Sequence, residues 1–552
     1  MGLSLSAEQK SIIKIFKVEE QYIIPAYQRP YSWAYNECLT LYNDILRAYE
    51  EEEEYFIGNI FISRSDNNKD ILEVIDGQQR LTTILLLIKV FSIIDPDFKP
   101  LMDILTKENW ETSDLEARIV SNVFETDDGK ELSMVLAFDK KKFEELEKSC
   151  SDKKGKFTEN RCKKEYNNKF VKNIMHFYGW VKSYSKKNDD VRNFITFLLK
   201  NVYFLPIEFN GKTAAEAQKK ALKIFETMNN RGLSLDDSDI FKAKLYEKSE
   251  RIGEVERFKN AWRDLKNACE LLNIEILDLF KYYSHVIRGK NNKTTSEINL
   301  REFFTVEEYS PFNLKNYDEI LDDLFIIREV LEYIAVQTRL PTVLAKWLQL
   351  IARYSNQYPK NLLVVYLFIS LQENKKIDEK KLIVFLTKVI RYTYYQGATT
   401  RIKFDIYHMI KDVSHGREIS NYAQKGMTES YFDYLGALKQ GYALLAFYLK
   451  EEKALLTYNI SKIVTYKDWK FLQDNWDKKE LDEFDNSLGN FVVLDIPQKN
   501  MSIDKKGAYY LSSKLSDVKN IKDLLIDYNY EGFRERDKKL RNILIEFFEG
   551  RI

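Results

Sequence analysis

Five consecutive residues, Asp76 to Arg80, offer the clearest chemistry in the chain: a carboxylate, a glycine, two amides and a guanidinium. Apolar runs over residues 71–75 and 81–94 flank them and predict a strand, a turn and a helix. Gly77 permits the sharp turn. The first N–H groups of such a helix, beside a guanidinium, form a favourable site for a phosphate group. The alternative is an ordinary strand-turn-helix, with the aspartate as a cap and the arginine in solvent.

A second stretch places Tyr27, Gln28 and Arg29 between two prolines, Pro25 and Pro30. Two prolines five residues apart exclude a regular helix and favour an extended segment. An aromatic ring, an amide and a guanidinium side by side can stack on a nucleotide and hydrogen-bond to it. The alternative is that the neighbouring aromatic residues pack in a core while the arginine pairs with a carboxylate.

A third stretch contains Glu226, Asn229 and Arg231, followed by Gly232. The glycine suits the left-handed residue that ends a helix, and Ser234 to Asp237 can cap the next helix. Capping alone would explain most of these residues. A carboxylate, an amide and a guanidinium at one turn also fit a binding site.

The composition indicates a globular protein of several domains. The chain has 552 residues, of which 44% are hydrophobic and 31% are charged. Acidic and basic residues are equal in number, 85 of each, so any contact with DNA must come from local patches. Four scattered cysteines are typical of a reducing compartment. No apolar run is long enough to span a bilayer, so we expect a cytoplasmic protein without membrane contact.

Hydrophobic periodicity predicts the elements that must position these residues. Strands are predicted over residues 55–62, 70–75 and 202–209, and residues 484–495 are predicted to form a polar turn that runs into a strand. Helices are predicted over residues 5–17, 36–49, 81–94, 213–227 and 533–548, and residues 250–450 are predicted to be helical.

Together these stretches resemble the DGQQR family, domain of unknown function 262, found in GmrSD-type modification-dependent restriction enzymes and SspE-like phage-defence proteins. The resemblance covers about residues 1–250 and rests on Pro25 to Trp33, Phe56 to Ile60, Asp76 to Thr83 and Phe225 to Gly232. It implies a ParB/sulfiredoxin-like core that binds or hydrolyses a nucleoside triphosphate with Mg²⁺. In SspE-like members, the segment matching Tyr27 and Gln28 is linked to the sensing of modified DNA.

The resemblance also implies roles for single residues. The implied catalytic residues are Asp76, Gln78, Gln79, Arg80 and Glu226, with Asp76 as the metal ligand. The implied nucleotide- or DNA-binding residues are Tyr27, Gln28, Arg29, Gly77, Thr82, Asn229 and Arg231.

The last hundred residues resemble the partner domain of this family, domain of unknown function 1524, an HNH-type nuclease module. The matching site residues are Asn490, Asn500 and Lys514. The family has a catalytic histidine upstream of the Gly-Asn strand, where this chain has Lys462, and no histidine follows His415. An HNH nuclease needs a general base and groups that hold a divalent cation. We therefore expect a degenerate nuclease domain.

The predicted fold is mainly α, with a small mixed α/β N-terminal core, a helical middle region and a C-terminal α+β HNH-derived domain. The predicted domains are residues 1–250, 251–450 and 451–552. We expect a phage-defence or restriction-type protein that binds a nucleotide and senses DNA, including modified or phage DNA. The alternative is a non-catalytic nucleotide- or DNA-binding sensor or scaffold of a defence complex. A partner defence subunit or a homo-oligomer is expected in either case.

Overall fold

The computed structural model describes residues 6–16, 19–65, 68–108, 115–150, 158, 161–211, 236–295, 297–397, 402–434 and 436–552. Helices make up 62% of the structure, and a small mixed sheet lies near the N-terminus, which confirms the predicted mainly α class. The chain divides into two compact units, Met1–Lys259 and Asn260–Ile552. Within the described ranges, no helix has both the length and the apolar character needed to cross a bilayer.

The first unit contains a seven-stranded sheet. Its strands lie in the order β1-β9-β4-β5-β3-β8, with β2 also paired to β9, while β6 and β7 form a separate pair. The strands are β1 Ser6–Ala7, β2 Lys10–Ser11, β3 Gln21–Ile24, β4 Tyr55–Ser65, β5 Asn68–Asp76, β6 Thr106–Glu108, β7 Leu115–Ala117, β8 Ile119–Ser121 and β9 Val202–Gly211.

Three neighbouring strands, β5, β3 and β8, run parallel. Tyr22 of β3 pairs with Leu72 of β5 on one side and with Ile119 of β8 on the other. Strand β4 is antiparallel to β5 and parallel to β9, with an irregularity between Phe56 and Gly58. The carboxyl ends of β5, β3 and β8 therefore lie at one edge of the sheet.

One helix, Gln78–Ile94, directly follows β5 and is buried along nearly its whole length. Its apolar residues occupy all sides, which is typical of a helix enclosed in a core. The other α-helices of this unit are Ile12–Phe16, Tyr35–Glu50, Pro100–Leu105, Asp128–Leu136, Lys140–Cys150, Lys169–Ser185, Val191–Asn201 and Asp237–Arg251, with a 3₁₀ turn at Lys164–Tyr166.

The predicted elements are confirmed at most positions of this unit. The predicted helix over 36–49 and the strands over 55–62, 70–75 and 202–209 are present. The predicted helix over residues 5–17 is wrong, since β1 and β2 precede a five-residue helix, Ile12–Phe16. Both short strands pair with β9, so tertiary pairing overrides the local helical pattern. The predicted helix over 213–227 lies outside the described residues.

The second unit is helical apart from one antiparallel strand pair, β10 Asn459–Lys462 and β11 Phe491–Leu494, within the part that the structure describes. The strand predicted within residues 484–495 and the predicted closing helix are confirmed. Its α-helices are Ile276–Lys290, Leu300–Thr305, Pro311–Leu314, Tyr317–Gln337, Val343–Arg353, Tyr358–Asn374, Glu379–Gln396, Ile402–Ser414, Lys439–Lys450, Trp469–Leu472, Lys478–Asp485, Ile503–Tyr510, Ser516–Leu524 and Tyr530–Phe548. The 3₁₀ turns are Glu429–Phe432, Gly436–Leu438, Tyr466–Asp468 and Leu488–Asn490, and the unit boundary falls within the helix Val255–Leu271.

Candidate functional site

The carboxyl ends of the three parallel strands bring separate stretches of the chain together. Strand β5 ends at Asp76, β3 leads into residues 25–33, and β8 leads into residues 122–128. Main-chain bonds continue the pairing beyond the strands, since Phe124 N–H donates to the Ala26 carbonyl at 3.3 Å. In open sheets with parallel strands, ligands bind at this edge. The predicted residues Tyr27, Gln28, Arg29 and Asp76 thus lie where a ligand site is expected.

The turn between β5 and its helix requires glycine. Gly77 has φ +91°, and a Cβ atom there would lie 2.6 Å from Cγ2 of Ile60. The close approach of β4 and the positive φ both exclude a side chain. The predicted strand-turn-helix is confirmed, with Gly77 preceding the first helical residue.

Arg80 is held against β4 rather than lying in solvent. Its Nη2 donates to the Asn59 carbonyl at 2.7 Å and lies 3.5 Å from Oδ2 of Asp76. Gly58 has φ +132°, and a Cβ atom there would lie 2.1 Å from Nη1 of Arg80. The guanidinium therefore fills the space that the glycine leaves, and it connects the Gly58-Asn59 stretch to the Asp76 turn.

Gln78 and Gln79 hold the segment that follows β3. Gln78 Nε2 donates to the Arg29 carbonyl, and Gln79 Nε2 donates to the Pro30 carbonyl, both at 3.0 Å. Oε1 of Gln79 accepts a hydrogen bond from Ser32 N–H at 2.7 Å. Both amides are about 5% exposed, so they act as internal connections between the two predicted motifs.

Tyr31 extends this network into the core. Its hydroxyl group hydrogen-bonds with Thr83 at 2.8 Å and accepts from Asn173 at 3.1 Å, while its N–H donates to Asp128 at 2.6 Å. Thr82 is buried and lines a small cavity beside Gln79 and these groups. The interpretation that Tyr31 packs in a core is confirmed.

The carboxylate of Asp76 is partly buried, and nearby positive charges only partly offset the effect of burial on its pKa. Burial raises its pKa, while Arg80 and, more weakly, Arg29 lower it. Burial lowers the pKa of Arg80, which Asp76 opposes. Arg29 is exposed, and its charge also acts on Asp239 at the start of the helix Asp237–Arg251. Two carboxylates therefore share the electrostatic influence of one accessible guanidinium.

Tyr27 and Gln28 are buried in this conformation. The Tyr27 ring packs against Tyr246, with centroids 5.9 Å apart, and Gln28 Nε2 donates to the Ile75 carbonyl at 2.9 Å. Their predicted nucleotide- or DNA-binding role stays a prediction. The third predicted group, Glu226, Asn229 and Arg231, lies outside the described residues.

Three charged residues at this edge were not predicted from the sequence. Lys242 forms ion pairs with Asp239, at 3.5 Å, and with Glu125. It also donates to the Gln28 carbonyl at 3.3 Å. The sequence contained a signal for Lys242, because the apolar residues Ile240, Phe241, Ala243 and Leu245 lie close to it along the helix. All four are buried.

Comparison with known families gives one match. Residues 12–246 match the family model of the GmrSD restriction endonuclease, N-terminal domain. We call this part of the chain the GmrSD-like domain. The match includes all three predicted stretches, and residues 247–552 lie outside it. No curated protein matches the chain.

The described part of the GmrSD-like domain contains residues that could hold Mg²⁺ together with a nucleotide. Among the described residues, no group of three or more His, Cys, Asp or Glu side chains could hold a metal. Magnesium in nucleotide sites is bound by one or two carboxylates together with phosphate oxygens. Asp76 offers such a carboxylate, and the exposed guanidinium of Arg29 offers charge for a phosphate group.

The residues predicted for an HNH-type site, beyond the GmrSD-like domain, do not share one surface. Asn490 is fully buried, whereas Asn500 and Lys514 are exposed. The Asn490 amide donates to the Val464 and Asp485 carbonyls at 2.9 and 3.1 Å, and its Oδ1 accepts from Val464 N–H at 2.8 Å. In the described ranges, no hydrogen bond joins it to Asn500 or Lys514. Asn490 therefore fixes the start of β11 against the end of β10.

Lys462 occupies the position where the resemblance places a histidine. Its ammonium group is paired with the buried carboxylate of Asp485, 2.6 Å away. A second lysine, Lys506, donates to the Ile463 carbonyl at 2.6 Å, and burial lowers its pKa. The position therefore holds a Lys–Asp ion pair in place of the imidazole that the resemblance implies as general base.

Proposed function

We propose that the chain is a restriction-type phage-defence protein whose GmrSD-like domain binds a nucleoside triphosphate with Mg²⁺ and responds to DNA. The match over residues 12–246 supports the restriction-type assignment. The observation that best supports nucleotide binding is that the turn at Asp76 and the segment with Arg29 lie together at the carboxyl ends of parallel strands, joined by the hydrogen bond from Gln78 to the Arg29 carbonyl. We assign Asp76 to the cation, and Arg29 with the N-terminus of the helix Gln78–Ile94 to the phosphate groups.

The remaining predicted residues take supporting roles in this proposal. The side chains of Gln78, Gln79 and Arg80 donate hydrogen bonds to main-chain carbonyls of neighbouring segments. They would set the distance between Asp76 and Arg29 rather than contact phosphate oxygens. Hydrolysis also requires a group that takes a proton from water. Because Asp76 is assigned to the cation, Glu226 is the candidate for this role.

DNA sensing in this proposal begins at the segment that follows β3. Tyr27 and Gln28 are buried, while Arg29 and Ser32 are exposed. Gln79 joins this segment to the helix Gln78–Ile94. Contact of Arg29 with a DNA phosphate would therefore act directly on the nucleotide site.

Nucleotide binding is tested by isothermal titration of the full chain with ATP or GTP and Mg²⁺, followed by a phosphate-release assay with and without DNA. We expect Asp76→Asn and Arg29→Ala to weaken binding by about tenfold or more. The matched controls Asp97→Asn and Arg47→Ala change exposed residues and should leave it unchanged. Absence of binding to either nucleotide would overturn the proposal. Binding without phosphate release would favour the non-catalytic sensor.

For the C-terminal region we propose a nuclease-derived module without hydrolytic activity. The strand pair β10–β11, followed by the helix Ile503–Tyr510, supports the proposal that this module derives from a nuclease. The ion pair of Lys462 with Asp485 supports the loss of activity. This module would bind DNA or a partner subunit.

A further inference from the structure

Lys242 is one of the most deeply buried charged residues of the GmrSD-like domain. Only 1% of it is exposed, and its ammonium group contacts Asp239, Glu125 and the main-chain carbonyl of Gln28. A buried charge is costly unless charged or hydrogen-bonding partners compensate it. Lys242 and its partners therefore hold one another in place. Three separate segments are joined at this one atom.

Gln28 connects this cluster to the strand that ends in Asp76. Its side chain donates to the Ile75 carbonyl at 2.9 Å, while its own carbonyl accepts from Lys242 at 3.3 Å. Gln28 N–H donates to the Pro25 carbonyl at 3.1 Å and closes a tight turn. Arg29 is the next residue. The main chain just before Arg29 is therefore held by β5 on one side and by the helix Asp237–Arg251 on the other.

We propose that Lys242 is a positioning residue of the nucleotide site: by holding the Gln28 carbonyl, it keeps Arg29 beside the turn that follows Asp76. The nucleotide part of this inference rests on the proposed function, whereas the placement of Arg29 does not. In support, the Arg29 carbonyl accepts a hydrogen bond at 3.0 Å from Nε2 of Gln78, in the turn that follows Asp76. Lys242 also links the helix Asp237–Arg251 to Gln28 and, through the side chain of Gln28, to the end of β5.

The experiment combines hydrogen exchange with titration of ATP and Mg²⁺ on the full chain. Lys242→Met removes the ammonium group and keeps a long apolar side chain. We expect exchange of the amides within residues 25–34 to become about tenfold faster through local opening. Nucleotide binding should weaken about tenfold, since the charged contact of Arg29 is no longer pre-organised. Exchange in the middle of the helix Gln78–Ile94 should not change.

Lys89→Met is the matched control, because Lys89 is a buried lysine on that same helix, remote in sequence from the turn at Gly77. It should alter neither the exchange of residues 25–34 nor nucleotide binding. If Lys242→Met fails to fold, the double variant Glu125→Gln/Lys242→Met, which removes both members of the closest ion pair, replaces it in the test.

Unchanged exchange over residues 25–34 would refute the positioning role, as would equal effects of Lys242→Met and Lys89→Met. A general acceleration of exchange across the domain would show a purely structural lysine and would also refute it. If the wild-type chain binds no nucleotide, the proposed function fails, while the exchange result still decides whether Lys242 positions Arg29.

Discussion

Arg80 illustrates how one side chain of a motif depends on two distant stretches. Its guanidinium fills the space above Gly58, donates to the Asn59 carbonyl and lies beside Asp76. The sequence presents Gly58-Asn59 and Asp76 to Arg80 as separate motifs. The contact explains why both stretches are needed, because a side chain at residue 58 would displace the guanidinium.

Gly58→Ala should therefore cost more than an ordinary glycine substitution at positive φ. Gly253 also has a positive φ, +76°, but nothing lies within 4 Å of its added Cβ. Gly253→Ala should cost about 1 kcal/mol of backbone strain. Gly58→Ala should cost about 1–3 kcal/mol more, since Arg80 loses buried hydrogen bonds. Urea unfolding of both variants measures the difference, and equal losses would contradict the role assigned to Arg80.

Asp76→Asn should stabilise the protein while it impairs nucleotide binding. Burial raises the pKa of Asp76 above its unfolded value, so its ionised form opposes folding at neutral pH. The gain in melting temperature should be full at neutral pH and should disappear below about pH 4, where the carboxyl group is protonated in both states. Thermal unfolding between acidic and neutral pH measures it. Asp97→Asn, on the exposed surface, serves as the control. Loss of stability at neutral pH would show that the carboxylate has a structural role.

Residue types and spacing could predict which stretches meet, but not what each side chain does there. The turn at Asp76 and the segment with Arg29 lie at one edge of the sheet, joined by the hydrogen bond from Gln78 to the Arg29 carbonyl. Gln78 and Gln79 were expected to contact the nucleotide, yet both donate to main-chain carbonyls. Amide side chains suit either use, and only tertiary geometry separates them. Lys242 was missed because it is one of three lysines in a helix rich in charged residues, and lysine is usually a surface residue.

At the scale of elements, the strands and helices that form the site were largely predictable. Periodicity indicated β4, β5, β9 and the helix Gln78–Ile94, because long apolar or alternating runs define them. The three-residue strand β8 was not predicted. A strand so short has no periodicity, and its place in the sheet depends on pairing with β3. The parallel edge that forms the site thus depends on an element that the sequence does not reveal.

The strand pair β10–β11 should depend strongly on Asn490. Three side-chain hydrogen bonds from this buried amide satisfy main-chain groups of Val464 and Asp485. Asn490→Ala should therefore cost about 3 kcal/mol, and exposed Asn500→Ala should cost almost nothing. Urea unfolding and hydrogen exchange over residues 460–494 would measure both effects. Similar stability of the two variants would contradict the structural role of Asn490.

At the scale of the whole molecule, the family match and the candidate site lie in one compact unit, and the region predicted to be HNH-derived lies in the other. The compact unit Met1–Lys259 contains the family match and the polar edge of parallel strands. The unit Asn260–Ile552 contains the helical region and the pair β10–β11. The division of the second unit into a middle region and an HNH-derived domain stays a prediction. Sequence periodicity shows helices there but not which of them share a core.

Full-length protein should not nick supercoiled plasmid with Mg²⁺ or Mn²⁺, whether or not ATP or GTP is present. The position expected for a general base holds Lys462 in an ion pair with Asp485, and Asn490 is enclosed in the interior. The imidazole that would accept a proton from water is absent from this position. Gel analysis of plasmid nicking measures the outcome, with Lys462→Ala and Asp485→Asn as comparison variants. Asn490→Ala is unsuitable for this purpose, because loss of folding would imitate loss of catalysis. Nicking by the wild type that either comparison variant abolishes would show that this pair is part of a working nuclease.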